Sequence, residues 1–142
     1  MADNLTKSEV NRLIDAARLA REQAYAPYSN FPVGAAVLIN DSEIYSGCNV
    51  ENISYGLSNC AERTALFKAV SEGNRQIRAV AIFADTDRFC SPCGACRQVI
   101  AEFGRDVFVI QANNRGEYII NTIDELLPGG FTAEIMGKGA GV

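Results

Sequence analysis

Cys60, Glu62, Cys93 and Cys96 carry the strongest chemical signal in this sequence, because their types and spacing point at one metal ion. Cys93 and Cys96 stand three apart in P-C-G-A-C-R, and Cys60 and Glu62 two apart in C-A-E-R. The chain has 142 residues and no histidine. Ser-His and Cys-His nucleophilic pairs are therefore excluded, together with every imidazole ligand. Any metal must be held by thiolates and carboxylates. Three thiolates suit one Zn²⁺ per chain and leave its fourth position open to water, while Glu62 offers a carboxylate that need not be a ligand. That combination is catalytic in kind, with one residue moving protons during attack by an activated water.

Other uses of the same residues compete. Cys90 lies close to the pair at 93 and 96, so Cys60, Cys90, Cys93 and Cys96 could close a structural Cys₄ zinc site in a binding module. Against this, Cys90 precedes Ser91-Pro92 and is expected to point away from the helix that follows, and a closed site leaves Glu62 idle. Thiol redox chemistry at C-x-x-C is a third class, and it leaves both Cys60 and Glu62 idle. Cys48 reads as a small apolar strand residue. Arg63, directly after Glu62, is either an exposed helix arginine or a guanidinium within reach of the thiolates, drawing electron density off the metal.

These side chains can meet only if the elements carrying them bring them together. Thr6 and Glu9 form a capping-box pair ahead of Val10, Leu13, Ile14, Ala17 and Ala20, the spacing of a helix with one apolar face. Residues 33–39 and 43–50 read as a β-hairpin turning at 40–42. Residues 60–72 read as a helix closed by Gly73, and 78–84 as a buried strand. Ser91 as N-cap and Pro92 at the first helical position open a helix to about Phe103, and a strand begins at Asp106. Residues 117–122 add a strand and 122–127 a short helix. A hairpin followed by alternating helices and strands predicts a three-layer α/β/α sandwich with a mixed sheet of about five strands. Both cysteine motifs then fall in the first turn of a helix, where unpaired N–H groups and the helix dipole favour thiolate.

Composition bounds the partners. One domain over residues 1–142 is expected, and a chain of this length buries roughly 68–70% of its unfolded surface in a single core, with no need of a metal to fold. The formal charge is −4 and no two Lys or Arg residues adjoin, which argues against nucleic acid. No apolar run reaches membrane-spanning length, and the N-terminus lacks the pattern of a secretory signal. Five cysteines without such a signal imply reduced thiols and a cytoplasmic protein.

Taken with YAPYSNFPVGAA, GCNVENISYG, CAERTALFKAVSEG, SPCGACRQVI and ELLPGGF, the motifs resemble the zinc-dependent cytidine deaminase family in its small, three-cysteine, homotetrameric class. The chemistry that this resemblance implies is zinc-assisted hydrolytic deamination of a nucleobase. The resemblance implies that cytidine, and 2′-deoxycytidine, lose ammonia to give uridine products in pyrimidine salvage. An activated water attacks C4, Glu62 shuttles the protons, and zinc sits on Cys60, Cys93 and Cys96. It further implies that Asn49 and Glu51 read ribose hydroxyls and that Phe31 packs on the pyrimidine. The backbone of Ala61 meets the base carbonyl and that of Ser91 the exocyclic amine, while Tyr55 and Phe131 reach pockets of neighbouring subunits. Taken singly, Asn49 and Glu51 also suit polar residues leaving a strand, and Phe31 and Phe131 suit packing. A blasticidin-type deaminase shares C-A-E and P-C-G-x-C-R-Q, whereas N-V-E at 49–51 and Arg63 favour cytidine.

Overall fold

Thr6 and Glu9 cap the first helix reciprocally: the Thr6 hydroxyl accepts from the Glu9 N–H and the Glu9 carboxylate accepts from the Thr6 N–H. Helix α1 runs Lys7–Arg21 and buries Val10, Leu13, Ile14 and Ala17. The computed structural model describes residues 4–40 and 42–137. Residues 1–3, and Asp41 in the turn expected at 40–42, lie outside the described residues. Strands β1 (Val33–Ile39) and β2 (Glu43–Cys48) form the hairpin, and β3 (Ile77–Ala84) follows helix α2 (Ala61–Ser71). Gly73, in the left-handed region at φ 93°, ends α2 as its position predicts. Helix α3 (Gly94–Ala101), strands β4 (Phe108–Ala112) and β5 (Tyr118–Thr122) and helix α4 (Ile123–Leu126) complete the order.

The start of α3 differs from expectation. Its N-cap is Cys93, whose sulfur accepts from the Cys96 N–H at 3.5 Å, and not Ser91. The helix starts two residues later than Ser91-Pro92 suggests, and there the Cys93 sulfur takes an orphan N–H as a serine hydroxyl would at its own cap.

The sheet has the order β2-β1-β3-β4-β5. β1 pairs antiparallel with both β2 and β3, β3 pairs parallel with β4, and β4 antiparallel with β5. The residues of β1 alternate across it. Ala35, Val37 and Ile39 pack with Leu66 of α2 and Ile100 of α3, while Ala36 and Leu38 pack with Leu13 and Ala17 of α1. β3 is likewise covered on both faces, which explains its almost wholly apolar sequence. The result is a three-layer α/β/α arrangement around a mixed five-stranded sheet.

Two glycines set the spacing of the layers. A Cβ on Gly34 would lie 1.8 Å from the Ala17 carbonyl oxygen, and one on Gly47 2.7 Å from the Ala65 nitrogen. α1 and α2 can therefore lie directly on β1 and β2. Because β2 and β3 both run opposite to β1, their carboxyl ends share one edge of the sheet. α2 and α3 begin from that edge.

Candidate active site

Cys60 is the N-cap of α2 and Cys93 the N-cap of α3, so the shared edge brings the two cysteine motifs face to face. The sulfurs of Cys60, Cys93 and Cys96 all lie within 4.8 Å of one another, with Cys60 and Cys93 at 3.9 Å. Ligands at about 2.3 Å from a tetrahedral Zn²⁺ stand about 3.8 Å apart, so the trio is spaced for that ion. It is too wide for a disulfide. One zinc per chain fits this cluster.

The charges follow from the contacts. Cys96 hydrogen-bonds Cys60 and the Arg63 guanidinium faces it, which lowers the Cys60 thiol to about 5. Cys96 is pushed up for the reciprocal reason and by its burial. Arg63 Nη2 donates to Cys60 Sγ at 3.3 Å, and its Nε is buried without a partner among the described residues. Glu62 is 5% exposed, and burial, assisted by the negative charge at Cys60, raises its carboxyl to about 7. A carboxyl in this state can take or give a proton near neutrality.

Cys90 requires a correction. It does not turn away from the site but lines the same cavity, packed against the core layer that includes α2 and α3. It stands outside the sulfur trio. Burial pushes its thiol up to about 12; its place outside the trio is what sets it apart from the three grouped sulfurs. The loop from β3 to α3 has no regular structure, so hydrophobic periodicity says nothing of where it places Cys90.

A cavity of about 290 Å³ opens over Cys60 and Cys93, with Phe31, Asn49, Ala61, Glu62, Cys90 and Ser91 among its other walls. Glu51 and Tyr55 line an adjoining cavity of about 210 Å³ with Tyr28, Ser29 and Ser58. Ser29 borders both. Asn49 and Glu51 therefore face different cavities. Beyond the end of β2, the Val50 backbone bridges Tyr25 on one side and Asn59 on the other, which fixes both side chains. Asn49 spends its amide on the loop carrying Phe31: Oδ1 accepts from the Val33 N–H at 2.9 Å and Nδ2 donates to the Phe31 carbonyl at 3.0 Å. Phe131 is 59% exposed and borders neither cavity.

Residues 7–112 match the family model described as the cytidine and deoxycytidylate deaminase zinc-binding region. The chain belongs to that family. A cytidine deaminase from Sporosarcina psychrophila is 53% identical over 133 residues, covering 93% of this chain and 98% of the relative. One from Halalkalibacterium halodurans is 58% identical over 125 residues, 87% of this chain and 95% of the relative. The crystal structure of cytidine deaminase from Burkholderia pseudomallei aligns with a TM-score of 0.83 at 49% identity, over 89% of this chain and 100% of that one.

Within this deaminase frame, sequence reading passed over three side chains. Ser29 holds Glu51, and Arg97 clamps the loop before α3: its Nε donates to the Pro92 carbonyl at 2.9 Å, Nη2 to Ser91 Oγ at 2.8 Å and Nη1 to the Leu126 carbonyl at 2.8 Å. Gln98 Nε2 donates to the Phe131 carbonyl at 2.7 Å. Arg97 and Gln98 are the R-Q that ends the second cysteine motif, and Ser29 lies in the YAPYSNFP stretch, but neither pattern says which groups these side chains hold.

Proposed function

We propose that this chain, acting as a single deaminase domain over 1–142, converts cytidine and 2′-deoxycytidine with water into uridine or 2′-deoxyuridine and ammonia, in pyrimidine salvage. The observation that carries the reading is the meeting of three cysteine sulfurs, two of which line one cavity together with a buried carboxylate. Zinc held by Cys60, Cys93 and Cys96 supplies Lewis acidity that makes an entering water easier to deprotonate. Glu62 takes a proton from the attacking water and delivers it to N3 of the pyrimidine, which prepares C4 for attack. Glu62 then carries a second proton to the departing amine, and the 4-oxo product remains. Arg63, donating to Cys60, offsets part of the negative charge that three thiolates gather.

Phe31 covers the pyrimidine, the Ala61 backbone meets the base carbonyl, and the Ser91 backbone meets the exocyclic amine. Asn49 and Glu51 receive ribose hydroxyls from their two cavities. Tyr55 and Phe131, both exposed, complete pockets of neighbouring subunits in a homotetramer. Five unpaired cysteines support a reducing, cytoplasmic setting. The test is an ultraviolet assay of cytidine loss with ammonia release and zinc content measured on the same sample. Turnover with about one zinc per chain is expected; a zinc-replete protein that leaves cytidine unchanged overturns the reading.

A further inference from the structure

An ionised carboxylate only accepts hydrogen bonds, at about four positions on its two oxygens. At Glu51, three are taken by one short loop. Oε1 accepts from the Tyr28 N–H at 2.9 Å and from the Ser29 N–H at 3.1 Å, and Oε2 accepts from the Ser29 hydroxyl. The Phe31 N–H donates to Ser29 Oγ at 3.1 Å, which occupies a lone pair of the hydroxyl and leaves its hydrogen for the carboxylate. Asn30 makes this possible by adopting a left-handed conformation at φ 55°, one of the few residue types that does so readily. With these donors, the Ser29 hydroxyl foremost, the Glu51 carboxyl lies below its ordinary range. One acceptor position is left for an outside donor.

We infer that Ser29 is a positioning residue for sugar recognition, its hydroxyl and N–H locking the Glu51 carboxylate so that the remaining lone pair receives a ribose hydroxyl. The inference rests on the reading of Glu51 as a ribose acceptor. Ser29 touches no reacting atom, so its loss weakens sugar binding and spares the chemical step. The same hydroxyl joins Glu51 to the backbone of Phe31, so the sugar reader and the ring cover are held by one loop across the boundary between the two cavities.

The experiment compares Ser29→Ala, Ser29→Thr, Glu51→Gln and the Ser29→Ala/Glu51→Gln double variant, each with zinc content and Tm measured. Ser29→Ala is expected to raise KM for cytidine about tenfold, the scale of one charge-assisted hydrogen bond, with kcat within about twofold. Ser29→Thr restores KM because it keeps the hydroxyl. The inhibition constant of 2′,3′-dideoxycytidine, which lacks both ribose hydroxyls of the ring, changes less than about twofold in Ser29→Ala. In the double variant KM rises no further than in Glu51→Gln alone. If Glu51→Gln raises KM but Ser29→Ala does not, or if dideoxycytidine loses as much affinity as cytidine, the inference falls and the ribose reading stands. If Glu51→Gln leaves KM unchanged, the ribose reading falls and takes the inference with it.

Discussion

Replacing Glu62 by Gln keeps the volume and most of the hydrogen bonds of a buried side chain and removes only its ability to carry a proton. Zinc content is expected to stay at about one per chain while kcat for cytidine falls at least about 10²-fold, the scale of a general acid or base. Atomic absorption on the purified variant, beside its turnover, checks both halves. The cysteines divide differently. Cys60→Ala, Cys93→Ala and Cys96→Ala are each expected to lose the metal, whereas Cys90→Ala is expected to keep it, because Cys90 stands outside the trio. A Cys90→Ala protein purified without zinc makes Cys90 a ligand and revives the closed Cys₄ site. At this scale the sequence was legible where chemistry restricts residue type, as with three thiolates in a chain without histidine. It was silent on Ser29 and Arg97, whose roles depend on which backbone groups a loop presents to them.

Between elements, one ion pair joins α1 to β3. Arg78 Nη1 donates to Glu9 Oε2 at 2.7 Å, and both side chains are largely buried. This bond, first among several, holds the Glu9 carboxyl below its ordinary value. A carboxyl depressed in the folded state contributes stability that is fully present above its unfolded value and is lost as pH falls through the folded one. Glu9→Gln keeps the capping geometry and removes the charge, so it is expected to cost roughly 1.5–3 kcal/mol at pH 7. The difference from the parent should shrink below about pH 4 and vanish once Glu9 is protonated in both states. Urea unfolding at pH 7 and at pH 3 measures it, and a gap independent of pH refutes it. Gly34→Ala tests the layer spacing, since its Cβ meets backbone that cannot rotate away. A loss of at least about 3 kcal/mol, or failure to yield folded protein, is expected, and a urea midpoint near that of the parent refutes it. Element types were readable because hydrophobic periodicity survives in a single sequence. The cap of α3 was not: Cys93 holds the role expected of Ser91, and propensity arguments seldom credit a sulfur with it.

Across the whole molecule, apolar side chains remain outside the two core layers. Ile53, Tyr55, Leu57, Phe131, Ile135 and Met136 are each more than half exposed. In the proposed homotetramer these residues meet neighbours, and sedimentation should give a mass about four times 15.3 kDa. Phe131→Ala should raise KM for cytidine. Mixing it with chains inactivated at Glu62 should give hybrids in which some pockets carry both defects and others neither. A fully active monomer refutes the arrangement. None of this was legible from periodicity, which reports what one chain buries and is blind to what four would share.

The common edge from which α2 and α3 start also bears on how the protein is made. Cys60 leaves the ribosome 33 residues before Cys93, and the intervening chain contains α2 and all of β3. Until β3 pairs with β1, nothing holds the two cysteine motifs together, so a nascent chain has no three-sulfur site to offer a metal. The three-sulfur site therefore forms only after β3 has joined the sheet and residue 96 has been made, while β4 and β5 are still to come.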